Sequence, residues 1–358
     1  MSTQPSDKLD SLFKQGRFGD IAATGIGRTA TTHLDPIQRI QLAHALLYSE
    51  SGEHSRELVE SCQADSKSPA LQSRCQLVLA LLEKRTGDIS RSMSRLQYSV
   101  RLAQQAGDVE QAAWAQLHLF RLMAEGHPHE VLSAALADSR RLVIKAGNPH
   151  LSAFLHDCVA LMEAQTGRLD EASRHFEIER SILERFPNAW LQQLMHINAA
   201  CIAFLSCDFD SARTHCLEAR RLCATAGTDN ARHVIDLNEA HIDLLTGRFS
   251  KAARTLQQLT ATDRTLTNVA ALDGLARLYL ALNRLDECEA AIAKVIEAAF
   301  PDRDHLRVCR FFGIPLFIEC FLVLVGRMLS HNLDHEVGQP RLAGGVERQR
   351  RRQAGGGE

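Results

Sequence analysis

Short turn segments recur along this chain, and their spacing limits what it can fold into. Four read alike: Thr166-Gly167-Arg168-Leu169-Asp170-Glu171-Ala172, Cys207-Asp208-Phe209-Asp210-Ser211-Ala212, Thr246-Gly247-Arg248-Phe249-Ser250-Lys251-Ala252 and Asn283-Arg284-Leu285-Asp286-Glu287-Cys288. Each has a turn residue, a large apolar residue two later and a small residue three after that. Weaker copies start at Gly16, Gly52, Gly87 and Gly126. The turn residues at 52, 87, 126, 167, 207, 247 and 283 are separated by 35, 39, 41, 40, 40 and 36. A nearly constant period of that size means stacked supersecondary units.

Other positions repeat in phase. Seven residues before the turn stand Ala45, Ala80, Leu119, Ala160, Ala200, Ala240 and Ala276. A small residue there lets two helices approach at the short end of the usual interaxial range of about 8 to 10 Å. One helix precedes each turn, as in Leu151 to Thr166 or Arg232 to Thr246. A second follows, as in Asp170 to Arg185 or Ser250 to Leu259. The turn glycine suits the left-handed conformation that ends a helix, and the Asp or Ser after the apolar anchor is expected to cap the next one. Loops at Ala146-Gly147-Asn148-Pro149 and Ala226-Gly227-Thr228-Asp229-Asn230 divide successive pairs.

A single hairpin cannot bury both apolar faces, so neighbours must supply the missing surface. The expected fold is all-α: a right-handed α-solenoid of stacked helix-turn-helix repeats. About eight helix pairs are expected over 37–337, after an irregular segment 1–36 that carries a partial repeat. The competing reading is an unrelated helical bundle in which the alanines fall in phase by chance. Composition favours helix, with 45% hydrophobic residues but only 5% aromatic. No strand pattern competes.

Lysines and arginines number 41 against 43 acids, so the net charge of −2 creates no global field for nucleic acid or an anionic membrane. The first residues, Met1 to Gly16, are polar and lack an apolar leader core. The ten cysteines are therefore read as reduced thiols in a cytoplasmic protein. The apolar run Phe311 to Val325 contains Pro315 and Glu319 and is shorter than the roughly 20 residues of a membrane span, so a buried helix is expected.

The small residue in the first helix, the Gly-Arg-Phe or Gly-Arg-Leu turn and the small residue opening the second helix together resemble the tetratricopeptide repeat. The resemblance covers roughly Ile37 to Val337 and is strongest from Leu151 to Ala298. The family's aromatic near the end of helix one stands here as Tyr48 and Tyr279, while Glu83, Leu122, Glu163, Ala203 and Asp243 replace it elsewhere. A period near forty is similar to the repeats of bacterial LuxR-type and sigma-54-dependent transcription regulators. The resemblance implies an array that senses or docks something. No G-x-x-x-x-G-K-[ST] phosphate loop occurs, so the ATPase of such activators is missing from this sequence.

Signals for chemistry are weak. Gly25-Ile26-Gly27-Arg28-Thr29-Ala30 fits a dinucleotide turn, but helix rather than strand precedes it, and an ordinary loop is the expectation. His331 and His335 fall on one helix face without an identifiable third ligand, which leaves a solvated helix as the default. His127-Pro128-His129 marks a turn and helix start. Cys201, Cys207, Cys216 and Cys223 lack a C-x-x-C chelate, so packing explains them. No nucleophile signature or distinct carboxylate pair stands out, and no enzyme, cofactor or metal site is expected.

First helices of successive pairs should line a concave surface. Residues six and ten before each turn are expected to face a ligand, and the polar ones are Gln116, Asp157, His241, Asp273 and Arg277. Their apolar equivalents Leu81, Phe120, Leu161, Ile197 and Leu237 suit an amphipathic helix or, more simply, the core. The Gly- and Arg-rich tail 338–358 cannot bury a core and is expected to be disordered. The apolar run before it implies that the array once continued or needs a partner at that end. The leading expectation is a non-catalytic scaffold holding a peptide or protein, with a transcription or signalling protein as one candidate, without direct nucleic-acid or membrane binding. The alternative is the sensor domain of a bacterial transcription regulator, separated from its ATPase and DNA-binding modules.

Overall fold

A computed structural model of the chain describes residues 5–23, 34–48, 52–124, 129–261 and 265–299. They belong to the first of two compact units, Met1–Ile314. The Gly25–Ala30 motif, His127 and Pro128, the run from Phe311, His331 and His335, the expected eighth pair and the tail all lie outside the described residues.

The described residues form sixteen α-helices and no strand. A short hairpin comes first: α1 (Pro5–Lys14) and α2 (Phe18–Ala23). Seven helix pairs follow. They are α3 (Pro36–Leu47) with α4 (Gly52–Asp65), α5 (Pro69–Thr86) with α6 (Ile89–Gln105), and α7 (Val109–Ala124) with α8 (His129–Ala146). Next come α9 (Pro149–Gln165) with α10 (Leu169–Arg185) and α11 (Ala189–Leu205) with α12 (Phe209–Ala226). The last are α13 (Asp229–Leu245) with α14 (Phe249–Thr260) and α15 (Thr265–Ala281) with α16 (Leu285–Ala299).

Five of the within-pair turns are closed by one device. At Gly87, Gly167, Cys207, Gly247 and Asn283 the backbone is left-handed. The following amide then reaches five residues back, as Arg168 N–H to the Glu163 carbonyl at 3.0 Å and Asp208 N–H to the Ala203 carbonyl at 2.9 Å. This double closure satisfies carbonyls that the helix end would leave free. Cys207 and Asn283 hold φ of 59° and 56° despite their side chains, a strain that glycine avoids at the other turns.

The capping expectation needs correction. Helices begin at the apolar anchor itself, so the cap is the residue before it. Asp88 and Asp208 accept from Arg91 N–H and Ser211 N–H, each at 3.0 Å. Asp170 and Ser250 lie inside the first turn, and Arg168 and Arg248 occupy the cap positions without a side-chain capping bond.

The in-phase alanines are all buried, Ala45, Ala80 and Ala160 completely, and Leu119 is buried with them. They face the small residues that open the second helices, among them Ala172, Ala212 and Ala252, each fully buried. Ser92 takes that place in the second pair and donates to the Ala80 carbonyl at 2.8 Å. Successive first helices touch along the whole array, whereas successive second helices barely meet. The first helices therefore form the tighter, inner side of a solenoid.

The acids that replace the family's aromatic are held by cations. Arg95 grips Glu83 at 2.7 Å, Arg168 pairs with Glu163, and Arg213 and Lys251 reach Asp243 at 2.8 and 2.9 Å. Where a ring remains, at Tyr279, the Arg284 guanidinium lies 4.9 Å from its centroid. Repeat turns are thus fixed by either packing or charge.

Candidate functional site

The α1–α2 hairpin lies across the inner face, between the first pair and the fifth. Its turn is held by α11: Ala189 N–H donates to the Gln15 carbonyl at 2.8 Å and Asn188 Nδ2 to the Lys14 carbonyl at 3.1 Å. Gly16 makes this possible, since a side chain there would strike Asn188. Gly19 likewise lets α2 rest on the backbone of Gly227 at the end of α12. On the other side Gln41 Nε2 donates to Asp10 at 3.1 Å.

Beneath the hairpin is a continuous aromatic cluster. The Phe18 ring is stacked on Tyr48 at 5.3 Å between centroids and on His44 at 5.6 Å. Trp190, from the start of α11, lies 5.8 Å from Tyr48, 6.4 Å from Trp114, 6.2 Å from His118 and 5.6 Å from Phe154. Helices α2, α3, α7, α9 and α11 each give at least one ring, and both tryptophans of the chain are present. Offset and tilted contacts of this kind add about 0.5 to 1.5 kcal/mol per pair beyond area burial.

A cavity of about 310 Å³ opens among these rings, lined by Phe13, Phe18, His44, Trp114, His118 and Trp190. Its polar lining includes Lys14, Asp10, Arg74, Asp108 and Glu110. Most of this charge is compensated locally: Lys14 pairs with Asp10 at 2.7 Å and Arg74 with Asp108 at 2.8 Å. Glu110 accepts from Asn148 Nδ2 at 2.9 Å and is exposed. Burial lowers the His44 pKa to about 4 and drives that of His118 well below its ordinary value, so both imidazoles are neutral near pH 7. An apolar recess with a few placed polar groups suits recognition of an apolar or aromatic group.

The five residues expected to face a ligand are placed deeper. Gln116 is buried on α7. Asp157 is wholly inaccessible, paired with Arg121 at 2.5 Å and accepting from Asn198 Nδ2 at 2.6 Å. Burial raises its pKa, and Arg121 opposes the rise. Glu179, also inaccessible, has no hydrogen-bond partner among the described residues, and burial followed by the charge of Asp157 holds its carboxyl well above the usual range. In the sixth and seventh pairs His241 is buried with a pKa lowered to about 3, while Arg277 pairs with Asp273 at 2.8 Å. The structure thus brings Asp273 and Arg277 together, separate from Gln116 and Asp157. Phe120, Leu161, Ile197 and Leu237 are core residues.

Sequence reasoning missed the cavity. Two signals pointed to it: the only two tryptophans, and a histidine eight residues before the turn in both the first and third pairs, His44 and His118. Cys158, Cys216, Cys223 and Cys288 are buried free thiols. Among the described residues no group of three or more His, Cys, Asp or Glu is placed to hold a metal, and no helix is long and apolar enough to cross a membrane.

Residues 244–308 match the tetratricopeptide repeat family model. No curated protein matches the chain. Solved structures share the fold at low identity. A chain of the APC/C hetero-tetramer Cut9–Hcn1 is 18% identical with a TM-score of 0.54, covering 85% of this chain, which spans 54% of that one. A Rap protein complexed with competence and sporulation factor is 11% identical with a TM-score of 0.58, over 83% of this chain and 87% of that one. The apo form of RapI is 11% identical with a TM-score of 0.50, over 76% and 99%. These likenesses establish a helical solenoid of tetratricopeptide type.

Proposed function

We propose that this chain is a non-catalytic scaffold that binds a peptide or protein segment on its inner face, with one apolar or aromatic side chain anchored in the cavity beside Trp114 and Trp190. The observation that carries this reading is the aromatic cavity itself. Rings from five helices keep a recess of about 310 Å³ while the charges near it neutralise one another. A Rap protein of similar fold was solved with a signalling factor bound, which supports the class of partner. In this reading Gln116, Asp157, His241, Asp273 and Arg277 hold the wall behind the contact surface. The partner comes from signalling or transcription in a cytoplasmic setting, and neither nucleic acid nor membrane is contacted directly.

Peptide-display selection on the intact chain tests this. Selected peptides should carry an apolar anchor, shift tryptophan emission and bind at least tenfold more weakly to Trp114→Ala, while the exposed Ile144→Ala leaves them unchanged. Selected peptides indifferent to Trp114→Ala would refute the anchor.

A second reading, a sensor domain of a LuxR-type or sigma-54-dependent regulator, is favoured by the enclosed size of the cavity, which suits a small apolar effector. A metabolite that raises the melting temperature of the wild type but not of Trp114→Ala would favour it over the scaffold.

A further inference from the structure

Two histidine pairs stand apart from the cavity. His156 on α9 faces His175 on α10 with Nδ1 to Nδ1 at 2.7 Å, and His196 on α11 faces His215 on α12 at 3.0 Å. Both join the two helices of one hairpin with a separation of 19 residues, and the second pair repeats the first one period of 40 residues later. All four rings are partly exposed, so solvent reaches them. Two nitrogens at this distance either share one proton or hold one cation, because two N–H groups or two lone pairs pointed at each other repel.

The separation says which cation fits. Imidazole nitrogens bind first-row metals at about 2.0 Å, so two of them spaced at a right angle are about 2.8 Å apart, whereas a tetrahedral angle requires about 3.3 Å. The observed 2.7 and 3.0 Å bracket the right-angled arrangement. We propose that the His156–His175 and His196–His215 pairs are two labile sites for a divalent cation of tetragonal preference, Cu²⁺ or Ni²⁺, each held through cis imidazole nitrogens with water in the other positions. On binding, the bridging proton leaves Nδ1 of one ring and the other ring nitrogen is protonated from solvent, so no net charge is lost from the pair.

Neighbouring charges rank the two sites. Glu163 faces the first pair, but so do Arg140 and Arg174. The second is faced by Glu218, Asp208 and Glu177 against Arg221 and Arg180. The local balance is 1 − 2 = −1 in acids over cations for the first and 3 − 2 = +1 for the second, so the His196 site binds a cation more tightly.

The test uses the full chain carrying His127→Ala, His129→Ala, His331→Ala and His335→Ala, which removes the other histidines closely spaced in sequence, titrated with Cu²⁺ alone. Calorimetry should show two equivalents, and electron paramagnetic resonance an axial signal with two equatorial nitrogens. His196→Gln should weaken the tighter equivalent at least tenfold, His156→Gln the weaker. Glutamine keeps a polar contact across the hairpin, and unchanged circular dichroism separates lost binding from lost fold. Two equivalents surviving in the His156→Gln, His196→Gln double variant would overturn the assignment, as would a parent chain with no two-nitrogen signal.

Discussion

The regular and the irregular parts of this array serve different ends. From Leu151 to Ala298 the repeat is legible residue by residue, and the family model's match, at 244–308, begins in this stretch. There the apolar anchor, the left-handed turn and the buried alanine recur, and the inner face is filled by core side chains and buried ion pairs. Toward the N-terminus the repeat is weaker, yet this region carries most of the aromatic cluster and the cavity. Residues that obey the period hold helices together. Residues that the turn, anchor and alanine pattern does not dictate, such as Trp114 and Phe13, are free to build a recess.

That contrast can be broken by experiment. Removing the ring at the centre of the cluster, Trp190→Ala, should cost about 3 kcal/mol in a denaturant titration, because it deserts partners from four helices. A comparable loss belongs to Asp157→Ala, which removes the buried carboxylate that pairs with Arg121: about 3 to 5 kcal/mol, against less than about 1 for the exposed pair partner Glu177→Ala. Among the positions that repeat in phase the sensitive ones are instead the alanines. Ala160→Leu or Ala240→Leu should cost about 1 to 3 kcal/mol by forcing two helices apart.

Protonation offers a further test. His44, His156 and His196 have pKa values lowered to about 4 by burial, and His241 to about 3. The unfolded chain takes up these protons near pH 6.5 and the folded chain does not. Their contribution is therefore complete above pH 6.5 and is lost as pH falls through 4. Glu179 acts in the opposite sense. Its raised pKa favours folding below the ordinary carboxylate value of 4.5, and that advantage fades as pH rises. Glu179→Gln should accordingly raise the melting temperature at pH 8 and leave it nearly unchanged at pH 4. A variant no more stable than the wild type at pH 8 would show that the carboxyl is solvated. The smallest effect belongs to the strained turns: Cys207→Gly should gain about 0.5 to 1 kcal/mol, and Asn283→Gly less, since asparagine tolerates the left-handed region better.

Much of the fold was readable because it rests on short-range chemistry. Turn, anchor and small residue lie within seven positions of one another, and Gly167 or Gly247 declares its turn alone. The cavity rests on proximity that no local pattern encodes. Nothing around Gly16 states that it meets Asn188, a contact across 172 positions that requires the superhelix to bring the fifth pair back toward the first. The depth of the residues expected to face a ligand was not legible for a related reason. Spacing assigns Asp157 to the inner helix face, but whether that face is open depends on how closely neighbouring first helices pack. Even the capping residue was displaced by two positions, because helix start and apolar anchor coincide.

Hydrogen exchange reads directly whether α1–α2 is a fixed wall of the inner face. The Ala189 amide, bonded to the Gln15 carbonyl, and the amides of residues 8–23 should exchange slowly in the wild type and lose protection together in Phe18→Ala, while those of α13 keep theirs. Rapid exchange of residues 8–23 in the wild type, with Ala189 unaffected by Phe18→Ala, would contradict it.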